Sequence, residues 1–359
     1  MLNPAAKALE LRPGDWVEVR SKDEILATLS SDASLDAMPF MPEMFQFCGK
    51  RFQVYKRADK TCDTVDKTGG LRVRNTVHLP ELRCDGSGHG GCEAGCLMFW
   101  REAWLKRVGG EQVPPIKGAE PKAGQCTELD VARAAVADAG QQIYRCQITR
   151  LRAFTEALPW WDVRQYVRDV AINGVGIGKL VRTFLFVGYR ELTELGVGYR
   201  ALISLYDWFQ SLRGGTPFPL RSGTCEKTPT AVLGLQPGEW VRVKPYPEIL
   251  ATLDPNNKNR GLWFDAEMVR YCGGTYRVVK RVRRILEEKT GKMLEFSNPC
   301  IVLQDVFCRA ETTENRLFCP RENLIYWREI WLERASMQDV PLNRLNRIDP
   351  PLTTRGQPR

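Results

Sequence analysis

One stretch occurs twice in this chain. Leu11-Arg-Pro-Gly-Asp-Trp-Val-Glu-Val19 returns as Leu235-Gln-Pro-Gly-Glu-Trp-Val-Arg-Val243, and Glu24-Ile-Leu-Ala-Thr-Leu29 returns unchanged as Glu248-Ile-Leu-Ala-Thr-Leu253. The register holds without a gap to Lys56-Arg57 and Lys280-Arg281, with about twenty of forty-seven positions identical. Both stretches later end alike, in Trp100-Arg-Glu-Ala-Trp-Leu105 and Trp327-Arg-Glu-Ile-Trp-Leu332. Two copies are too few for a solenoid, so the pattern predicts a tandem domain duplication.

The copies divide the 359 residues into a first cysteine-rich module over 11–108, a linker over 109–126, a helical middle segment over 127–213, a second module over 230–335 and a disordered tail over 340–359. The expected class is α+β: two homologous, small, strand-rich modules joined by helices. Hydrophobic residues make up 43% of the chain, enough for ordinary cores. No run reaches eighteen apolar residues, so no transmembrane helix is expected. No secretory signal is read at the N-terminus, which makes a reducing cytoplasm the expected setting. Twelve cysteines in that setting point to metal ligands or reactive thiols more than to disulfides.

Within each module, Trp16–Val19 alternates like a half-buried strand. Ser21, with Glu24 three residues on, carries the signature of a capping box ahead of a short helix. Arg51–Arg57 and Thr275–Arg281 read as strands, and Lys67–Gly70 and Lys289–Lys292 as the turns of hairpins. The opening Pro-Gly-Asp/Glu-Trp-Val resembles the first strand of SH3-like barrels, the family that includes KOW domains. In the middle segment, Thr127–Ala139, Trp160–Val170 and Tyr199–Leu212 show helical spacing, with Val163, Tyr166, Val167 and Val170 on one face.

Aligning the copies sorts the cysteines. Cys48 matches Cys272, Cys84 matches Cys308, and Cys92 matches Cys319, the last two lying eight residues before Trp100 and Trp327. Cys300 completes four in the second copy, the inventory of a tetrahedral all-cysteine zinc site. The first copy offers Cys96 as its fourth donor, then Cys62, His78 or His89. Zinc is the expected metal, and an iron–sulfur cluster is the alternative, since the shared spacings are long and unequal. Cys126, Cys146 and Cys225 lie outside the copies and read as free thiols.

Other motifs are weaker. Gly174-Val-Gly-Ile-Gly178-Lys179-Leu180 has the wrong spacing and lacks the Ser or Thr of a phosphate loop. The repeated carboxylates Asp15/Glu239, Glu24/Glu248 and Glu43/Glu267 read as caps and surface charges before acid–base pairs. A net charge of +9 and the basic strand carrying Arg277, Lys280, Arg281, Arg283 and Arg284 suit phosphate contacts. The aromatic, basic middle helices suit either packing on the modules or an anionic membrane surface.

The two-module layout with its Trp-Arg-Glu-Ala/Ile-Trp-Leu endings resembles a group of bacterial hypothetical proteins without an assigned activity. That resemblance implies a bacterial cytoplasmic setting and supplies no catalytic residues. The expected function is a zinc-stapled binding or scaffold protein with a protein partner. The alternatives are a thiol- or metal-dependent enzyme using the Cys84–Cys96 cluster, and a nucleic-acid binder.

Overall fold

Val17 and Val19 are fully buried while Trp16 between the turn and the sheet is half exposed. This period of two is that of a strand with one wet face. The computed structural model describes residues 9–109, 126–194, 199–215, 217–312 and 316–340. In it, Trp16–Val19 lies between Arg51–Gln53 and Leu105–Arg107, antiparallel to both. Trp240–Val243 lies in the same way between Thr275–Leu286 and Leu332–Arg334. The registers agree: Val17 pairs with Phe52 and Arg107, and Val241 with Tyr276 and Arg334.

The shared Trp-Arg-Glu-x-Trp-Leu endings carry the interior of each copy. Trp104 and Trp331 are fully buried, and a buried indole needs an acceptor. Trp104 donates to the Thr28 hydroxyl at 3.2 Å and Trp331 to that of Thr252 at 2.9 Å. Phe40 meets Trp104 edge-on at 5.1 Å, and Phe264 meets Trp331 at 5.3 Å. Glu102 accepts the N–H groups of Glu10 and Leu11 and the Arg57 guanidinium at 2.7 Å. Glu329 accepts the N–H groups of Leu233, Gly234 and Leu235 and the Arg281 guanidinium at 2.8 Å. A buried carboxylate is tolerated only when so surrounded by donors.

The capping box forms: Ser21 and Glu24 satisfy each other's backbone at the start of Lys22–Leu26. Its counterpart Tyr246–Leu250 begins after Pro245, without a side-chain cap. The hairpins also form, with Lys60–Cys62 on Gly70–Arg72 and Thr275–Leu286 on Met293–Phe307. One expectation needs correcting. The strand expected over 51–57 is broken after Gln53, because the chain changes partner there. Val54 donates to Asp15 and Tyr55 to His78, and Lys56–Arg57 then pairs with Thr76–His78. In the second copy the strand runs unbroken to Leu286.

The middle segment is less helical than its periodicity predicts. The first helix covers only Glu128–Ala134, and strands follow at Val136–Asp138, Ile143–Tyr144 and Glu156–Leu158. The last of these joins Gly70–Arg72, so part of this segment completes a sheet of the first copy. Three helices then follow: Arg164–Ala171, Ile177–Glu194 and Tyr199–Leu212. The expected buried face of the Trp160–Val170 stretch is only half right. Tyr166 is buried, whereas Val163 and Val167 are 67% and 65% exposed. What holds this helix inward is also polar, the buried contact of Asp169 with the Lys60 ammonium. Tyr166, Leu180, Phe184 and Val187 pack on Leu317 and Phe318. The opposite sides expose Ile177, Val181, Leu185 and Leu192, then Leu205, Trp208 and Leu212.

The architecture is α+β: helices together with small sheets that are all antiparallel among the described residues. No described helix is long and apolar enough to cross a membrane. The expected linker lies almost wholly, and the expected tail almost wholly, outside the described residues.

A candidate metal centre between the two copies

The segment from Cys84 to Cys96 is a loop tied at its base. Cys84 donates its N–H to the Cys96 carbonyl at 2.9 Å, and Arg83 bridges Leu97. Inside it, His89 and Gly91 both donate to the Gly86 carbonyl, and Cys92 to that of His89. Glycine is required for this closeness. A Cβ on Gly86, whose φ is +75°, would stand 2.0 Å from the Cys92 carbonyl oxygen, and one on Gly88 would stand 2.7 Å from a Glu43 oxygen.

The fold brings Glu43, on the short 3-10 helix Pro42–Phe47, against this loop. The Cys84 thiol donates to Glu43 Oε1 at 2.7 Å, and His89 Nδ1 stands 3.1 Å from the same oxygen. The other ring nitrogen of His89 meets the Arg145 carbonyl at 3.0 Å. Such a second contact fixes the ring orientation of a histidine ligand. Glu43 Oε2 is buried without a hydrogen-bond partner, and His89 Nδ1 has the ion-pair contact with Glu43 Oε1 but no well-directed hydrogen bond. Glu43, Cys84 and His89 form the one group of three or more ligand-type side chains, among the described residues, whose donor atoms lie within 4.8 Å of one another.

Around this group the structure gathers more sulfur. Cys84, His89, Cys92, Cys96 and Cys146 line one apolar cavity of about 20 Å³, room for about one water molecule. Burial pushes the Cys84 thiol far up, with the Glu43 carboxylate adding to the effect, and pushes Cys146 up to about 12. Burial also raises Cys96, against the opposing pull of Arg321. Burial thus favours the thiol form of Cys84, Cys96 and Cys146, and a metal would have to displace their protons. Cys92, Cys96 and Cys146 also face a larger cleft of about 640 Å³, walled on the far side by Glu288, Arg321 and Tyr326 of the second copy.

The other expected ligands are placed differently. No three of Cys272, Cys300, Cys308 and Cys319 bring their sulfurs within 4.8 Å of one another. Cys272 ends a 3-10 helix with its thiol toward the Met268 carbonyl. Cys300 is buried between Val282 and Val302, beneath the Arg328 guanidinium. Cys308 and Cys319 pack with Cys62 of the first copy, whose N–H donates to Cys319 Sγ at 3.3 Å. The hydrogen bond from Cys62 holds the Cys319 thiol low and Cys62 high. The four-cysteine set of the second copy fails to close because Cys300 faces across its hairpin while Cys308 and Cys319 follow the loop toward the other copy. Cys48 ends the helix Pro42–Phe47 and does not line the cavity. His78 is fully buried against Phe99, with Nδ1 on the Met98 carbonyl, away from the loop.

Two residues of the site had no ligand role in the sequence reading. Glu43 was legible only as a repeated carboxylate, and Cys146 as a cysteine outside the copies. The pattern Glu43/Glu267 with Cys84/Cys308 was the available signal for the first; nothing in the repeat could mark the second. The basic strand is only partly engaged within the protein, with Arg277 and Arg283 exposed. Lys280 donates to the Glu93 carbonyl, Arg281 to Glu329, Arg277 to the Gly238 carbonyl, and Arg284 stands near Glu295. Arg283 is held through its backbone by Glu93.

No protein-family model matches the chain, and no curated protein matches it by sequence.

Proposed function

We propose that this is a metal-binding protein of two related modules, in which the first supplies the metal centre and the second braces it. The observation that carries the reading is the convergence of Glu43, Cys84 and His89, whose donor atoms lie within 4.8 Å of one another, with Glu43 Oε2 buried and without a hydrogen-bond partner. Leaving such an oxygen unsatisfied costs about 1–3 kcal/mol, and a bound cation would remove that cost. The matched registers and the twin Glu102 and Glu329 anchors support the duplication; the antiparallel placing of Trp16–Val19 and Trp240–Val243 between two strands each is what supports the SH3-like reading. The resemblance to two-module bacterial proteins belongs to the same proposal. The second copy has no comparable ligand group among the described residues, and its hairpin instead seats the loop of the first. Metal analysis of the purified full chain tests this. Metal bound in a fixed ratio, with chelation lowering the melting temperature, supports the reading; metal-free protein with an unchanged melting curve defeats it.

A second reading concerns the partner. The exposed apolar stripe of Ile177, Val181, Leu185 and Leu192, with Trp160, Trp161 and Trp208 nearby in sequence, favours an anionic lipid surface. Aromatic and aliphatic residues flanked by Arg164, Arg168, Arg182 and Arg200 are the composition of interfacial helices.

A further inference from the structure

The two copies share one charged framework and differ in what surrounds it. Arg101 donates to the carbonyls of Arg74 and Asp36, and Arg328 donates in the same places to those of Asn298 and Arg260. Arg57 meets Glu102 and the Leu11 carbonyl, as Arg281 meets Glu329 and the Leu235 carbonyl. Strand pairing confirms the match: Arg57 pairs with Val77 and Val77 with Trp100, as Arg281 pairs with Ile301 and Ile301 with Trp327.

On this framework the side chains change sign. Asp36 of the first copy is Arg260 in the second, and Asp59, two residues after Arg57, is Arg283. The first copy thus holds Asp36, Arg57, Asp59, Arg74, Arg101 and Glu102, three acids against three cations. The second holds Arg260, Arg281, Arg283, Asn298, Arg328 and Glu329, one acid against four cations. The change is felt at Arg281. Arg57 Nε donates to both Asp59 oxygens at 3.0 Å, whereas Arg281 Nε is buried without a hydrogen-bond partner. Burial holds Arg101 and Arg328 below the ordinary arginine value; Asp36 opposes this for Arg101, and Arg260 adds to it for Arg328. Gathered like charges repel, and the first copy shows that the fold does not require them.

A pocket of about 50 Å³ lies at this place in the second copy, with Arg260, Arg281, Arg328, Glu329, Thr230 and Asn298 in its wall. About 10–15 Å³ of such space holds one water, so it has room for a few waters or for one tetrahedral oxyanion. Arg328 is buried, and Arg260 is exposed and makes no ion pair among the described residues. Arginine suits phosphate because its planar fork meets two oxygens at once. A terminal phosphate offers three free oxygens and close to two charges. A diester offers one charge and needs room for chain on both sides.

We infer that the pocket between Arg260, Arg281 and Arg328 binds a phosphate group, either free phosphate or the end of a small phosphate monoester. This site belongs to the second copy and is independent of the metal centre.

The experiment is calorimetric titration of the full chain with inorganic phosphate and with phenyl phosphate. The expected result is saturable binding of at least one of them at a single site. Tighter binding of phenyl phosphate assigns the monoester, and tighter binding of phosphate the free anion. Arg260→Asp combined with Arg283→Asp gives two exposed positions the side chains that the first copy carries, so the fold should stand. Binding should weaken about tenfold or more, as expected for lost charged contacts. Arg260→Gln, a milder change at an exposed side chain, should weaken it as well. No binding of either anion by wild type overturns the inference. So does binding left unchanged in a folded double variant and in Arg260→Gln. Binding of single-stranded DNA without terminal phosphates, lost in the same variants while neither small anion binds, overturns it in favour of nucleic acid.

Discussion

The backbone N–H of Leu286 donates to the sulfur of Cys92 at 3.4 Å, across 194 residues of sequence. Leu286 ends a long strand of the second copy, and Cys92 sits at the heart of the first copy's loop. Beside this contact, Glu93 donates to the Arg284 carbonyl, Lys280 to the Glu93 carbonyl, and the Tyr326 hydroxyl to that of Ala94. The second copy's hairpin and the strand Leu324–Trp327 beside it therefore hold the loop on three successive residues.

Lys280→Met tests that brace. The substitution keeps the apolar stem and removes the donor at 2.7 Å from the Glu93 carbonyl. A charged hydrogen bond of this kind is worth about 1.5–3 kcal/mol. Urea unfolding should show a loss in that range, together with faster release of metal to a chelator. Unchanged stability and unchanged release would mean that the hairpin merely touches the loop.

Glu102→Ala and Glu329→Ala should behave as twins. Each removes a carboxylate from an arginine and from successive backbone donors, although Arg57 keeps Asp59 at 3.0 Å while Arg281 keeps only the Leu235 carbonyl among the described residues. Breaking a buried pair from one side costs about 3–5 kcal/mol, and the remaining partners make that an upper bound. Denaturant midpoints of both variants should fall, that of Glu329→Ala at least as far as that of Glu102→Ala. A large loss in one with none in the other would argue against equivalent modules.

His78 should make the protein acid-sensitive. Burial, opposed by the Met98 carbonyl, holds its pKa down to about 3 from an ordinary value of 6.5. Between those values the unfolded chain binds a proton that the folded one refuses, so stability falls as pH drops through 6.5 toward 3. The slope is up to about 1.4 kcal/mol per pH unit. His78→Phe lacks this titration. The stability gap between wild type and variant should narrow from pH 7 to pH 4; a gap that stays constant would contradict a buried neutral imidazole.

Val181→Glu combined with Leu185→Glu tests the lipid surface. Both side chains are more than half exposed, so the fold should survive. Wild type should sediment with anionic vesicles, less so at high salt, and the double variant should remain in the supernatant. Equal partition of wild type onto zwitterionic and anionic vesicles, or onto neither, would remove this reading.

The sequence alone determined what depends on neighbours along the chain. The Ser21–Glu24 cap, the Lys67–Gly70 and Lys289–Lys292 turns and the alternating Trp16–Val19 strand are local geometries, and the repeat announces the strand twice though not the cap. The Glu156–Leu158 strand was hidden, because its pairing with Gly70–Arg72 joins segments some eighty residues apart and overrides local preference. The exposure of Val163 and Val167 was hidden for a similar reason. A helical stripe shows which side is apolar, but only the packed neighbours decide whether that side is covered. The cysteines show this division most clearly. Alignment of the copies paired Cys84 with Cys308 and Cys92 with Cys319, which is a statement about ancestry of positions. Which sulfurs meet is a matter of distance. The middle segment carries Cys146 to the cavity, and the contact between copies carries Cys319 to Cys62 instead. Both results come from how the two copies pack, for which no short stretch of sequence encodes the energy.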